Sequence, residues 1–433
     1  MYRLTSRLVL YSDLPADSVL MRLSAICRDL PGGDRDTLVH RVHAEVKRLL
    51  DIATTYGFDE NLWQNYLTFV MIDHLNSFSL TCEQNGLGDG SINAIATADF
   101  EIFRQLFTFD FSSLEAALGV DCFSRLTHYR AIRKQAGSYN REVSEKVRAL
   151  SRAIAVAPDA QTVLQLVSGH LAQCGAGLFG MNRAFRVRIA DGEPEFIAIN
   201  NLDDVTLRDL IGYELQKAQL RANVEAFLRG RPFNNMLLYG DAGTGKSTSV
   251  KALLNEYWTQ GLRVIEIYKH QFPYLADIIS RVKQRHYRFV IFIDDLSFEE
   301  HEVEYKHLKA VIEGGLETRP TNVMLCATSN RRHLIRETWR DRDDMEHDGD
   351  IHRSDTVEEK LSLAARFGCA VRYSAPDRHL FEEIVKGIAA RYPQIHLSEE
   401  ELLAAANRFE IRHGGISGRC AQQFINSIAG GEA

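Results

Sequence analysis

The chain has 433 residues, 45% hydrophobic and 25% charged, which are ordinary proportions for a soluble globular protein with room for roughly two or three domains. Its formal net charge of −7 excludes a chain that coats nucleic acid by bulk electrostatics, although it leaves room for a local basic patch. The seven cysteines (Cys27, Cys82, Cys122, Cys174, Cys326, Cys369 and Cys420) are odd in number and form no CxxC pair, so neither a zinc knuckle nor a disulfide framework is readable. Arg3, Arg7 and Asp13 interrupt the apolar stretches between Met1 and Leu20, so no signal peptide is expected. No run approaches the roughly eighteen apolar residues of a membrane span. The expectation is a cytoplasmic protein without a membrane partner.

Residues 1–160 read as a mainly helical N-terminal domain. Leu38, Val42, Val46 and Leu49 recur at helical spacing behind the capping candidate Asp36, and Val143, Val147, Leu150 and Ile154 do so further on. The glycine-rich stretch Gly86–Gly90 between them is expected to turn. A helix pattern stops at Ala157-Pro158-Asp159, which places a domain boundary there. Residues 161–201 read as a connecting region, in which the alternation Phe185-Arg186-Val187-Arg188-Ile189 predicts a short strand or hairpin. From Leu202 short apolar runs alternate with helical stretches: Asn235–Tyr239, Arg263–Tyr268, Phe289–Ile293, Asn322–Thr328 and Cys369–Tyr373. Strands separated by helix-length segments predict an α/β core with a five-stranded parallel sheet between helices, over 202–375. Three helices are expected in 376–433. One carries Leu380, Ile384 and Ile388, one starts at the capping box Ser398-x-x-Glu401, and one begins near Ser417.

The densest chemical signal is Gly240-Asp241-Ala242-Gly243-Thr244-Gly245-Lys246-Ser247, with Thr248 following. It satisfies the Walker A pattern, and it also has the context the pattern needs: the apolar strand Met236–Tyr239 feeds it and a helix leaves it. The glycines let consecutive backbone N–H groups curl towards a β-phosphate, and the helix N-terminus adds partial positive charge. Lys246 reaches phosphate oxygens and Ser247 offers a hydroxyl to Mg²⁺, so ATP and Mg²⁺ are the expected cofactors. About fifty residues on, Phe289–Ile293 ends in Asp294-Asp295. A buried strand ending in a carboxylate beside such a loop places Asp294 on the Mg²⁺ and Asp295 where a base polarises water. Glu299 competes for the base role, with a solvated acid as its plain alternative. The next strand runs into Ser329-Asn330, where Asn330 is a candidate to orient water near the γ-phosphate or a plain turn asparagine.

Five strands followed by a small helical bundle is the layout of an AAA+ core and its lid. Residues 202–430 resemble a bacterial AAA+ ATPase family known as domain of unknown function 815. The matching stretches are Leu210-Ile211-Gly212-Tyr213-Glu214 with Gln216-Lys217, Asn223–Gly230, Gly261–Glu266, Asp294–Glu299, Ala327–Leu334 and Glu358–Leu363 before Arg366-Phe367-Gly368. The resemblance implies that Leu210, Ile211, Gly212 and Tyr213 pack around adenine, and that the double aspartate is a family trait. Other AAA+ proteins carry Glu at the second place, one methylene longer than Asp295. It further implies that Arg366 faces a neighbour's nucleotide as an arginine finger, the alternative being a cation that complements a helix dipole. Ala364-Ala365 stand where the family pattern has Ser-Asp. Arg419, at the head of the last helix, is the sensor 2 candidate, against a surface cation of the lid.

Two further stretches carry weaker alternatives. Phe272-Pro273-Tyr274 follows the second core strand, where threading ATPases place pore aromatics, but a packing cluster fits it better. Asp341–Asp348 reads as a solvated acidic loop rather than a metal site. The function expected is an oligomeric Mg²⁺-dependent ATPase, a ring with hexamer among its sizes, that remodels an unidentified protein partner. A slow ATP-dependent switch or binding module is the second reading, and a DNA-associated loader the third, nucleic acid being compatible with the chain but not indicated. A P-loop kinase is the weakest.

Overall fold

The computed structural model describes residues 1–131, 141–298, 302, 304–313, 320–331, 334 and 363–430. Glu299, Arg332, His333, the acidic stretch Asp341–Asp348 and Glu358–Ser362 lie outside the described residues. The chain divides into two units, one of residues 1–183 with 198–202 and one of 184–197 with 203–433.

In the first unit all described regular elements are helices, from Tyr2–Thr5 to Gly177–Met181. Their starts are written in short polar side chains. Asn61 accepts from the Gln64 amide at 3.1 Å, Asn76 and Ser79 form a reciprocal capping box, and Asp159 accepts from the Thr162 amide at 2.7 Å. The helix carrying Leu38, Val42 and Leu49 runs Arg35–Tyr56, and its cap is Asp34 rather than Asp36. Gly57 closes it in the left-handed conformation. Val143, Val147, Leu150 and Ile154 are all buried in Arg141–Ala155, as their spacing requires. One apolar cluster joins Leu8 to Met181. Pro158-Asp159 therefore marks a helix start and not a domain boundary, because Ala160–Cys174 buries Val163, Leu164, Val167 and Leu171 in that same cluster.

The second unit is built on a seven-stranded sheet in the order β2-β1-β4-β5-β6-β3-β7. The strands are β1 Ala184–Ala190, β2 Glu193–Ala198, β3 Met236–Gly240, β4 Leu262–Ile267, β5 Arg288–Ile293, β6 Val323–Ser329 and β7 Cys369–Tyr373. The ladders β1–β4, β4–β5, β5–β6, β6–β3 and β3–β7 are parallel. The five-stranded expectation is corrected to seven, because the hairpin of residues 185–200 adds β1 to the edge of β4 (Phe185 opposite Ile265) instead of belonging to a separate connecting region. Asp191 and Gly192 make its two-residue turn with φ of 50° and 83°, the positive pair that a type I′ turn needs. The buried central strands are continuous apolar runs, with every residue of β6 buried, as a sheet covered on both faces demands.

Three helices end the chain: Arg378–Ala389, Glu399–Arg412 and Gly418–Ala429. They share a small core of their own around Phe381, Val385, Ala421 and Ile425. The Ser398–Glu401 capping box forms, and Ser417 caps the last helix. Among the described residues no helix is long and apolar enough to cross a membrane.

Candidate nucleotide site

Strand β3 delivers the chain into a loop that only glycine permits at three points. Gly240, Gly243 and Gly245 have φ of 128°, 72° and 90°, values that L side chains rarely adopt. At Gly240 a side chain is also barred by space, since a Cβ would lie 2.0 Å from the Tyr373 carbonyl oxygen. The loop is pinned to the end of β7: the Asp241 amide donates to Tyr373 O at 2.9 Å, and the Asp241 carboxylate accepts from the Ala375 amide at 2.7 Å. Thr244 donates to Asp241 O, which keeps the curl closed. Gly245 then caps the helix Lys246–Tyr257, whose N-terminus carries unpaired N–H groups and partial positive charge.

The Lys246 ammonium folds back onto its own loop. It donates to Gly240 O at 2.9 Å, Asp241 O at 2.6 Å and Asn330 Oδ1 at 3.0 Å. It is largely buried, and burial pushes its pKa down while the carboxylates of Asp241, Asp295 and Asp294 pull the other way. Ser247 donates to Asp294 Oδ1 at 2.6 Å, across 47 positions of sequence. Asp294 and Asp295 follow directly after β5, and Asp295 sits in the left-handed region at φ 51°. Its Oδ1 accepts from Asn330 Nδ2 at 2.9 Å. Asn330 thus bridges the lysine and the second aspartate.

Except for Gly240 and Asp241, which are not in its lining, these groups line one cleft of about 750 Å³. Ala242 to Thr248, Asp294, Asp295 and Asn330 form its polar end, while Leu210, Ile211 and Tyr213 line it elsewhere. Gly212 is not in the wall. It packs on Leu380 so closely that a Cβ would lie 2.4 Å from its Cδ1. Tyr213, itself at φ 60°, donates to Ser374 O at 2.9 Å, and burial with the nearby Asp241 carboxylate pushes its phenol up to about 12. The last helix closes the far side. Arg419 lines the cleft, and its amide donates to Gly243 O at 3.1 Å. Arg366 is not in the lining; it pairs with Glu313. Phe272 is fully buried, facing Phe298 at 6.2 Å between ring centroids, which is the packing role.

Several lining residues went unread in the sequence. Ile384 and Ile388 were assigned to helix packing alone, and both reach the cleft. Arg391 donates to Asp209 O at 2.8 Å, and both residues line the wall. Thr328 had no signal of a role beyond its place in an apolar strand and in the matching stretch Ala327–Leu334. Val205, Gln422 and Gln423 had none either.

A glycine-bound loop between an interior parallel strand and a helix, facing two aspartates from the end of β5 with β6 lying between the two strands, defines a P-loop protein. The chain belongs to the family described as protein of unknown function DUF815, whose profile matches residues 181–432. It is 30% identical over 121 residues to a 26S proteasome regulatory subunit 6B homolog of Aspergillus niger, a match covering 25% of this chain and 29% of the relative. The chain therefore spans under a third of that relative's length. Among solved structures it is similar to a point mutant of Thermotoga maritima RuvB, at 19% identity and a TM-score of 0.35 over 52% of this chain and 64% of that one. The Thermotoga maritima RuvB Holliday junction branch migration motor matches at 16% identity and a TM-score of 0.32, over 51% of this chain and 71% of that one.

Proposed function

We propose that this protein is an oligomeric AAA+ ATPase that binds Mg²⁺-ATP in the cleft and hydrolyses it to remodel a macromolecular partner. The observation that carries the proposal is the meeting of the Ser247 hydroxyl and the Asp294 carboxylate at 2.6 Å beside the Lys246 ammonium. Two oxygen donors facing each other next to a phosphate cradle are the donor chemistry Mg²⁺ takes, with phosphate and water oxygens completing its shell. The loop's curl fits as well, since a Cβ at Gly240, Gly243 or Gly245 would crowd Tyr373, Arg419 with Ser417, or Leu210 and would adopt a positive φ. Mg²⁺ held by Ser247 and Asp294 would neutralise phosphate charge.

In this reading β3 to β7 are the AAA+ core and the three C-terminal helices its lid. Lys246 leaves its carbonyl partners for phosphate oxygens, Asp295 takes the proton of the attacking water, and Asn330 orients that water. Arg419 acts as sensor 2 from the lid, and Leu210, Ile211 and Tyr213 hold adenine. Arg366 serves the nucleotide of the next subunit, which its position outside its own cleft supports. The relative matched over 121 residues is by name a subunit of a larger assembly, in agreement with an oligomer. Lys246→Ala tests the site: nucleotide binding or turnover should be lost while the melting temperature holds, and wild-type ATPase activity in that variant would sink the assignment.

A slow switch is the second reading. It is favoured by the short Asp295 side chain, whose Oδ1 is held by Asn330 Nδ2 at 2.9 Å. Turnover that is flat and very slow against protein concentration supports the switch. A steep rise supports finger-dependent assembly.

A further inference from the structure

Strand β6 is apolar from Val323 to Ala327 and buried throughout, yet its last two residues are Thr328 and Ser329, at 2% and 1% exposure. Valine has the same branched shape and suits a central strand at least as well. A hydroxyl buried there needs partners of its own. Thr328 has two, one on each aspartate. It donates to Asp294 Oδ1 at 2.5 Å, and it accepts from the Asp295 amide at 2.9 Å. Its backbone adds a third tie, because the Leu296 amide donates to Thr328 O at 2.7 Å.

The sheet explains how one residue reaches both. The β5–β6 register pairs Ile293 with Ala327, so the next step along the two parallel strands sets Asp294 beside Thr328. Asp294 Oδ1 then takes two hydroxyls, Ser247 from the P-loop helix and Thr328 from the sheet, which fixes the carboxylate from both sides. Asp295 sits at φ 51°, a conformation that is uncommon for a residue other than glycine and that persists only where its surroundings impose it. The amides of Asp295 and Leu296, on either side of that strained unit, are both held by Thr328.

We infer that Thr328 is a positioning residue for the nucleotide reaction, its single hydroxyl setting the Asp294 carboxylate towards the cation site and holding the backbone of Asp295 in the turn that presents its carboxylate. This inference rests on the Mg²⁺-ATP reading above. It assigns Thr328 no contact with substrate.

The test is Thr328→Val against Thr328→Ser in the full chain, with ATP turnover titrated against Mg²⁺ and binding of a fluorescent ATP analogue measured in Mg²⁺ and in EDTA. Loss of a group that orients a metal ligand lowers metal affinity or activity by about 10- to 10²-fold, so Thr328→Val should lower kcat and raise the Mg²⁺ needed for half-maximal turnover on that scale. KM and binding in EDTA should move by less than about threefold, since uniform binding contacts are kept. Thr328→Ser restores the hydroxyl and should recover most of the loss, which a purely packing role does not allow. Thr328→Ala, which sets no methyl group against the carboxylate, replaces Thr328→Val if the latter fails to melt cooperatively. Wild-type kcat and Mg²⁺ dependence in Thr328→Val overturn the inference, and so does a serine variant no better than valine. Wild-type protein that binds Mg²⁺-ATP without hydrolysing it removes the ATPase reading alone, and Thr328 is then judged on the Mg²⁺-dependent tightening of binding. Wild-type protein that binds no ATP removes both.

Discussion

The helical unit and the sheet unit use buried polar groups in opposite ways. In the helical unit they serve the backbone. Asp99, fully buried, accepts from the Val9 and Leu10 amides at 3.0 and 2.7 Å, Glu83 accepts from the Ala176 amide at 2.8 Å, and Trp63 donates to Leu106 O at 2.8 Å. Each such bond pairs a buried side chain with a backbone group of a distant segment and so satisfies it. In the sheet unit the buried Lys246 and Thr328 and the exposed Asp294, Asp295 and Asn330 bond to each other around open space. Polar groups arranged that way are partnered provisionally and can exchange those partners for a ligand's. The lesson is to ask of a buried polar group not only whether it is satisfied but whether its partners face a wall or a cleft.

That contrast breaks first, if it breaks, at Arg366. An arginine finger contributes on the order of 10³–10⁵ in rate, so Arg366→Ala should bind ATP nearly normally and hydrolyse it poorly. Mixing it with Lys246→Ala should restore turnover where an intact loop meets an intact finger. A mixture that stays dead while the two variants demonstrably co-assemble makes Arg366 a structural partner of Glu313, with Arg331 or Arg332 next in line as finger. Asp295→Asn should keep ATP binding and cost about 10²-fold in turnover, the scale of a positioned base. Unchanged turnover, with Glu299→Gln abolishing it, moves the base to Glu299.

Phe103 is the matching probe in the helical unit. It is fully buried, with Tyr11 edge-on at 4.9 Å between ring centroids. Phe103→Ala should destabilise that unit by about 3–5 kcal/mol, read by denaturant unfolding, and leave ATP affinity unchanged below the transition. A shift in affinity under native conditions would show that the two units share more than a chain.

How much of this was legible beforehand follows from how local each signal is. The P-loop was readable because phosphate chemistry fixes eight consecutive residues, Gly240 to Ser247, and their strand and helix flanks. The sheet strands were readable within a residue or two for the same reason, as buried parallel strands are unbroken apolar runs. The hairpin at 184–198 was seen, but its membership of the sheet was not, since Phe185 pairs with Ile265 only after the chain has folded. Pro158-Asp159 misled because a helix start and a domain boundary are written in the same residues, and only the cluster joining Ala160–Cys174 to the earlier helices separates them. Arg391 carried no motif, and Thr328 lay inside the matching stretch Ala327–Leu334 without a role of its own; geometry alone gives both their place at the cleft.

The smallest effect makes the finest comparison, because it sets one cap in each unit against the other. Asp159 heads Ala160–Cys174 and accepts from the Thr162 amide at 2.7 Å; Ser417 heads Gly418–Ala429 and accepts from the Cys420 amide at 3.1 Å. Each pairs an orphan N–H of a first turn, and replacing either by alanine should lower stability by about 1 kcal/mol. Their surroundings differ. A Cβ on Gly243 would lie 3.2 Å from the Ser417 side chain, and the Arg419 amide donates to Gly243 O. Ser417 therefore orders the helix end that lies against the phosphate loop, while Asp159 orders a helix that packs into an apolar core. Ser417→Ala should weaken ATP binding by a few-fold on top of its loss of stability, about fivefold being the most that about 1 kcal/mol permits. Asp159→Ala should lower the melting temperature and leave binding untouched. Equal affinity in both variants means the loop is held by its own glycines and by β7, and the last helix only rests against it.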